Sequence, residues 1–148
     1  MLLAQEFQFK MERLKYQLKI SNLEGEHIYD ALNMPIDACA IIISYTGSNT
    51  KMKEIMDVLK ERAISVIAIT SFSENILSAN ADAILHMATR ERLYSKVGHY
   101  STNTSVTHLL DILYSSMFAR NFEDNMNHII RTSKIADVRQ ATTSTMKE

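Results

Sequence analysis

Ala38-Cys39-Ala40-Ile41-Ile42-Ile43-Ser44-Tyr45-Thr46-Gly47-Ser48-Asn49-Thr50 is the stretch whose reading decides the fold. Its first six residues are apolar, end in three isoleucines and are too few to cross a membrane. A short β-branched run bounded by turn signals predicts a strand buried on both faces, as in parallel sheets. The seven residues from Ser44 to Thr50 then carry five short polar side chains and one glycine. Beyond them Met52, Ile55, Met56 and Leu59 fall at helical spacing, with Lys51, Lys53, Glu54, Asp57, Lys60 and Glu61 on the other faces. Strand, hydroxyl-rich turn and helix would together aim hydroxyls, backbone N–H groups and a helix start at one point, which suits a phosphate.

Working outward, residues 64–70 are again β-branched and read as a second buried strand. About twenty residues separate it from the first, room for one crossover helix and a parallel βαβ unit. A turn at 70–73, a short helix over 74–80 and a third strand over 82–87 continue the pattern. Towards the N-terminus, Leu3, Phe7, Met11, Leu14 and Leu18 step by three or four, predicting an amphipathic helix from residue 2 to about 16. No Ser, Thr, Asp or Asn cap precedes that helix. A fourth parallel strand is expected over 17–21, then a turn at Glu24-Gly25 and a brief helix over 27–32.

Residues 88–100 read as loop. Val106, Leu109, Leu110, Leu113 and Met117 mark a long helix whose apolar face Ile112, Tyr114 and Phe118 widen. Such a circumference is expected to lie in the core or under a partner subunit, and we expect a homodimer through residues 106–118. The pattern continues through Phe122, Met126, Ile129 and Ile130 to about Arg131, and the Thr- and Ser-rich tail of residues 137–148 should fray.

Composition restricts the function. With 148 residues, one domain burying roughly 70% of its unfolded surface is expected. The net charge is −1 and the basic residues are scattered, which disfavours nucleic-acid binding by these residues themselves. Cys39 is the only cysteine, so no internal disulfide can form; it reads as core packing in a reducing, cytoplasmic setting. No stretch reaches 18 apolar residues, and no signal segment opens the chain. His27, His86, His99, His108 and His128 lack metal-ligand spacing, so neither metal nor cofactor is expected.

Ligands of open parallel sheets bind beyond the carboxyl ends of the strands, so the loops after Ile43 and Ile69 share the candidate rim. Ser44, Thr46, Ser48, Asn49 and Thr50 offer uncharged donors there, and Gly47 permits a positive φ and close backbone approach. The plainer reading is that Asn49 or Thr50 merely caps the helix and the serines complete a turn. The loop is no Walker sequence, and Gly25, Gly47 and Gly98 are too dispersed for a dinucleotide fingerprint. Glu54 and Glu74 follow the two strands, but nothing distinguishes them from solvated carboxylates.

Residues 43–49, Ile-Ser-Tyr-Thr-Gly-Ser-Asn, resemble the S-x-S-G-x-T phosphosugar loop of the SIS (sugar isomerase) domain, in the version carried by RpiR-family transcriptional regulators. Thr46 replaces a serine of that pattern and Asn49 a threonine. Val66-Ile67-Ala68-Ile69-Thr70-Ser71, Ala79-Asn80-Ala81-Asp82 and Leu109-Leu110-Asp111-Ile112-Leu113-Tyr114 extend the resemblance, which covers roughly residues 5–135. It implies a flavodoxin-like α/β sandwich, a parallel sheet with helices on both faces, over residues 1–136. It further implies a phosphorylated sugar held by Ser44, Thr46, Gly47, Ser48, Asn49 and Thr50. In such regulators this domain senses the effector, and a separate helix-turn-helix domain, absent from this chain, binds DNA. The family's sheet opens with a strand and loop that precede the first helix here. The chain is therefore either a piece of a longer regulator, truncated at its N-terminus, or a sheet that closes without that strand. The other functional class implied is an aldose–ketose phosphosugar isomerase.

Overall fold

In a computed structural model, which describes residues 2–21, 25–89, 91 and 98–136, three parallel strands form one sheet in the order β1-β2-β3. The strands are β1 (Cys39–Ile43), β2 (Ser65–Thr70) and β3 (Ala83–His86). Cys39 pairs with Ser65 and Ile43 with Ile69 across the first ladder; Ile67 pairs with Ala83 and Thr70 with His86 across the second. The helices are α1 (Leu2–Glu12), α2 (His27–Leu32), α3 (Thr50–Glu61), α4 (Ile76–Asn80), α5 (Tyr100–Arg120) and α6 (Phe122–Ala136).

The twofold alternation of β2 separates two cores. Val66 and Ala68 meet Ala31, Met56, Leu59 and Leu77 of α2, α3 and α4 on one face. Ile69 meets Phe7 and Met11 of α1 and Val106 and Leu110 of α5 on the other. Helices thus cover both faces, as expected, and the sheet is the middle of a three-layer sandwich. Leu59 and Leu77 are almost completely buried, each contributing about 1.5–3 kcal/mol of transfer free energy. The Asp82 carboxylate accepts from the Val66 N–H at 2.7 Å, and the Asp82 N–H donates to the Val66 carbonyl at 3.0 Å. This fixes β3 to the start of β2. Arg62, just after α3, caps the end of α2 by donating to the Ala31, Leu32 and Met34 carbonyls.

Several sequence expectations need correction. Among the described residues, 17–21 join no ladder; instead the Leu18 carbonyl accepts from Gln8 Nε2 at 2.7 Å. Tyr16, Leu18 and Ile20 are half-buried while Gln17, Lys19 and Ser21 are exposed, and Tyr16 and Leu18 pack against the core that Phe7 and Met11 of α1 help to form. Helix α1 stops at Glu12 rather than near residue 16. Lys15 at φ +67° ends it, and Leu14, buried at the turn, holds the chain there. The strand β1 is not buried on both faces, because it lies at a sheet edge; Ile43 is 38% exposed. Cys39 is likewise exposed rather than packed in the core.

The long helix breaks at Asn121, where ψ is 56°, so its continuation is the separate helix α6. Helix α5 buries Thr102, Val106 and Leu110 but leaves Ile112 exposed, and α6 buries none of its residues. Residue 24 of the expected turn, residues 90 and 92–97 of the expected loop, and the tail 137–148 lie outside the described residues. Among the described residues, no helix is long and apolar enough to cross a membrane.

Candidate functional site

The turn between β1 and α3 has the conformation that its glycine permits. Gly47 has φ +58°, in the left-handed region, and is buried. Its N–H donates to the Ser44 hydroxyl oxygen at 3.2 Å, so this donor is turned inward. Its carbonyl accepts from the Leu77 N–H of α4 at 3.3 Å. On the preceding peptide, the Tyr45 carbonyl accepts from the Ser71 N–H at 3.3 Å. The loops after β1 and β2 therefore share one rim at the carboxyl ends of the strands.

Asn49 does cap α3: its side chain accepts from the Lys51 N–H at 2.9 Å, with Asn49 itself extended at φ −74°, ψ 143°. The plainer reading of this residue therefore holds for its side-chain oxygen. Thr46, Ser48, Asn49 and Thr50 remain exposed along the rim, and Ser44 is half-buried beneath them. Gathering these hydroxyls over the first turn of a 12-residue helix places neutral donors where the helix field favours an anion by about 0.3–1 kcal/mol.

Sequence reasoning overlooked what stands beside the turn. Asn75, 9% exposed, caps α4 and lies against Gly47; a β-carbon on that glycine would come 2.2 Å from Asn75 Oδ1. Ser71 Oγ and Ser73 Oγ share a hydrogen bond of 2.7 Å in the same loop. The Ser71 carbonyl accepts from His86 Nδ1 at 3.0 Å, and the His86 ring stacks on Phe72 with centroids 4.8 Å apart. The signal for Asn75 lay in the string Asn75-Ile76-Leu77-Ser78, a cap with a hydroxyl three residues on, which forms a reciprocal capping box.

Glu91 is the second overlooked residue. Its carboxylate accepts from the Ser101 N–H at 3.0 Å and the Thr102 hydroxyl at 2.5 Å, occupying the start of α5. The Thr102 hydroxyl holds this carboxyl below its ordinary value; desolvation opposes the shift and the Ser101 N–H adds to it. The Tyr45 hydroxyl reaches the Glu91 carbonyl at 3.4 Å, linking the turn to that helix start. Glu54 and Glu74 are exposed. Among the described residues, no three His, Cys, Asp or Glu side chains converge to hold a metal ion.

Comparison with known proteins agrees with this architecture. The family profile described as the SIS domain matches residues 1–116. An uncharacterized HTH-type transcriptional regulator of Bacillus subtilis (strain 168), YbbH, is 27% identical over 100 residues, 68% of this chain and 35% of the regulator. The match thus spans about a third of that relative's length. Among solved structures, the Vibrio vulnificus NanR protein complexed with ManNAc-6P superposes with a TM-score of 0.77 at 15% identity, covering 90% of this chain and 50% of NanR. The sugar isomerase domain of an RpiR transcription factor from Sphaerobacter thermophilus gives a TM-score of 0.68 at 17% identity, covering 90% of this chain and 72% of that one. At these identities the superpositions establish the fold.

Proposed function

The chain belongs to the SIS domain family, and on that premise we propose that it is the effector-sensing domain of an RpiR-type transcriptional regulator. The effector is a phosphorylated sugar, and its phosphate lies in the turn from Ser44 to Thr50. The observation that carries this reading is the left-handed turn at Gly47, which places Thr46, Ser48 and Thr50 on the rim at the start of α3. Backbone donors and a helix terminus hold a phosphate without any lysine, so the near-neutral composition is no obstacle. The relative YbbH carries the HTH name over a length about three times that of the match, which supports a separate DNA-binding part. The domain works in the cytoplasm, where sugar phosphates accumulate, and pairs as a homodimer through the exposed apolar side of α5 and α6.

The test is calorimetric titration of the chain with hexose 6-phosphates and N-acetylhexosamine 6-phosphates, with the mixtures assayed afterwards for isomerised sugar. Saturable binding of one phosphosugar, recovered unchanged, is the expected result. Binding of none overturns the sensing role. Conversion of an aldose phosphate into its ketose assigns the isomerase role instead, for which a base within about 3 Å of the substrate's C1–C2 protons is required.

A further inference from the structure

Asn75 spends its side chain on more than a helix cap. Capping α4 requires one acceptor, and Asn75 Oδ1 supplies it to the Ser78 N–H at 3.0 Å. The other half of the carboxamide is not needed for that purpose. Its Nδ2 donates to Thr70 Oγ1 at 3.0 Å and to the Ser73 carbonyl at 2.9 Å, so both amide protons are used. With acceptors facing the nitrogen and an N–H facing the oxygen, the carboxamide has one permitted orientation.

That plane is the wall against which the turn rests. Gly47 has room for a hydrogen but none for a β-carbon, which would meet Asn75 Oδ1 at 2.2 Å and Cγ at 2.5 Å. Thr70, which receives one amide proton, directs its own hydroxyl to the Tyr45 carbonyl at 3.5 Å. Leu77, two residues after Asn75 and fully buried, donates its N–H to the Gly47 carbonyl. The backbone is thus held on both sides of Thr46 by groups that Asn75 fixes.

We propose that Asn75 is a positioning residue for the phosphate-binding turn: its carboxamide holds Gly47 in the left-handed conformation and thereby sets where the Thr46 and Ser48 hydroxyls point. The proposal rests on the phosphosugar reading for its consequence, but not for its geometry. Serine at position 75 separates the two roles, because it caps a helix as well as asparagine does and has no NH2 group to reach Thr70.

The experiment compares the parent chain with Asn75→Ser and Asn75→Ala. Thermal unfolding, calorimetric titration with the same hexose and N-acetylhexosamine 6-phosphates, and the backbone amide resonances of Gly47 and Ser48 are recorded for each. Asn75→Ser is expected to unfold within a few degrees of the parent, to bind about tenfold more weakly, and to show displaced or broadened Gly47 and Ser48 resonances. Asn75→Ala should lose both stability and affinity. An Asn75→Ser chain that binds like the parent and leaves both resonances in place overturns the proposal and reduces Asn75 to a cap. Where the parent binds no phosphosugar, the sensing role fails, and the two resonances alone decide the role of Asn75. Should Asn75→Ser not fold, the near-isosteric Asn75→Asp, which lacks the same two donors, gives the same spectroscopic answer.

Discussion

The Gly47 N–H donates to the Ser44 hydroxyl oxygen at 3.2 Å, so the residue that leaves β1 and the glycine of the turn are directly coupled. An oxygen that accepts this bond keeps its own proton to donate elsewhere. Ser44→Ala therefore removes an internal acceptor and a donor available to the phosphate together. Each neutral hydrogen bond contributes about 0.5–1.5 kcal/mol, so binding should weaken several-fold and stability should fall by about 1 kcal/mol. Calorimetry and urea unfolding on the same variant check both; an unchanged affinity with reduced stability would make Ser44 purely structural.

Gly47→Ala is expected to be costlier than its size suggests. A left-handed φ strains an alanine by about 1–2 kcal/mol, and the added carbon overlaps the Asn75 carboxamide. Gly47→Val adds β-branching and should abolish phosphosugar binding. Thermal unfolding should show Gly47→Ala destabilised by at least the backbone term; a variant as stable as the parent would mean that the turn does not require positive φ.

Acid should loosen the start of α5. The Glu91 carboxyl is held below its unfolded value near 4.5 by the Thr102 hydroxyl and the Ser101 N–H. A depressed carboxylate contributes stability above its unfolded pKa and loses it as pH falls through the folded one. Glu91→Gln should accordingly lower the midpoint of unfolding above pH 5, and the difference from the parent should shrink as the pH falls below about 4. A difference that stays constant across that window would contradict the cap.

The apolar side of α5 and α6 predicts association. Ile112 is 44% exposed, while Phe122, Met126 and Ile130 project from a helix that buries none of its residues. Sedimentation should report a dimer for the parent and a shift towards monomer for Ile112→Glu. A monomeric mass for the parent at high concentration would count against pairing on this face.

The sheet was legible because its strands are β-branched runs with a single turn between each and the next helix. Ile41, Ile67 and Leu85 lie in three adjacent parallel strands, as the spacing of the runs requires. What failed was neighbourhood. Nothing in Cys39 or Ile43 says that β1 lies at an edge, because exposure depends on which strand lies beside it. Residues 17–21 alternate like a strand, yet Leu18 finds its cover in the core beside Phe7 and Met11 without a ladder. Within the site, Gly47 and the Asn49 cap could be read from residue type alone. Asn75 carried the signal of a cap, but neither its place beside Gly47 nor that of Glu91 could be read, since they lie 28 and 44 positions along the chain from it. Only the fold brings Asn75 against it and links Glu91 through Tyr45.

Binding of a phosphate in the turn between β1 and α3 can be followed residue by residue by mapping the amide resonances of the uniformly 15N-labelled chain during titration with N-acetylmannosamine 6-phosphate and glucose 6-phosphate. For at least one of these, the amides of residues 46–51 are expected to shift first and farthest, with Ser71 following through its bond to Tyr45. Shifts that centre elsewhere on the molecule, or none with either compound at millimolar concentration, would contradict it.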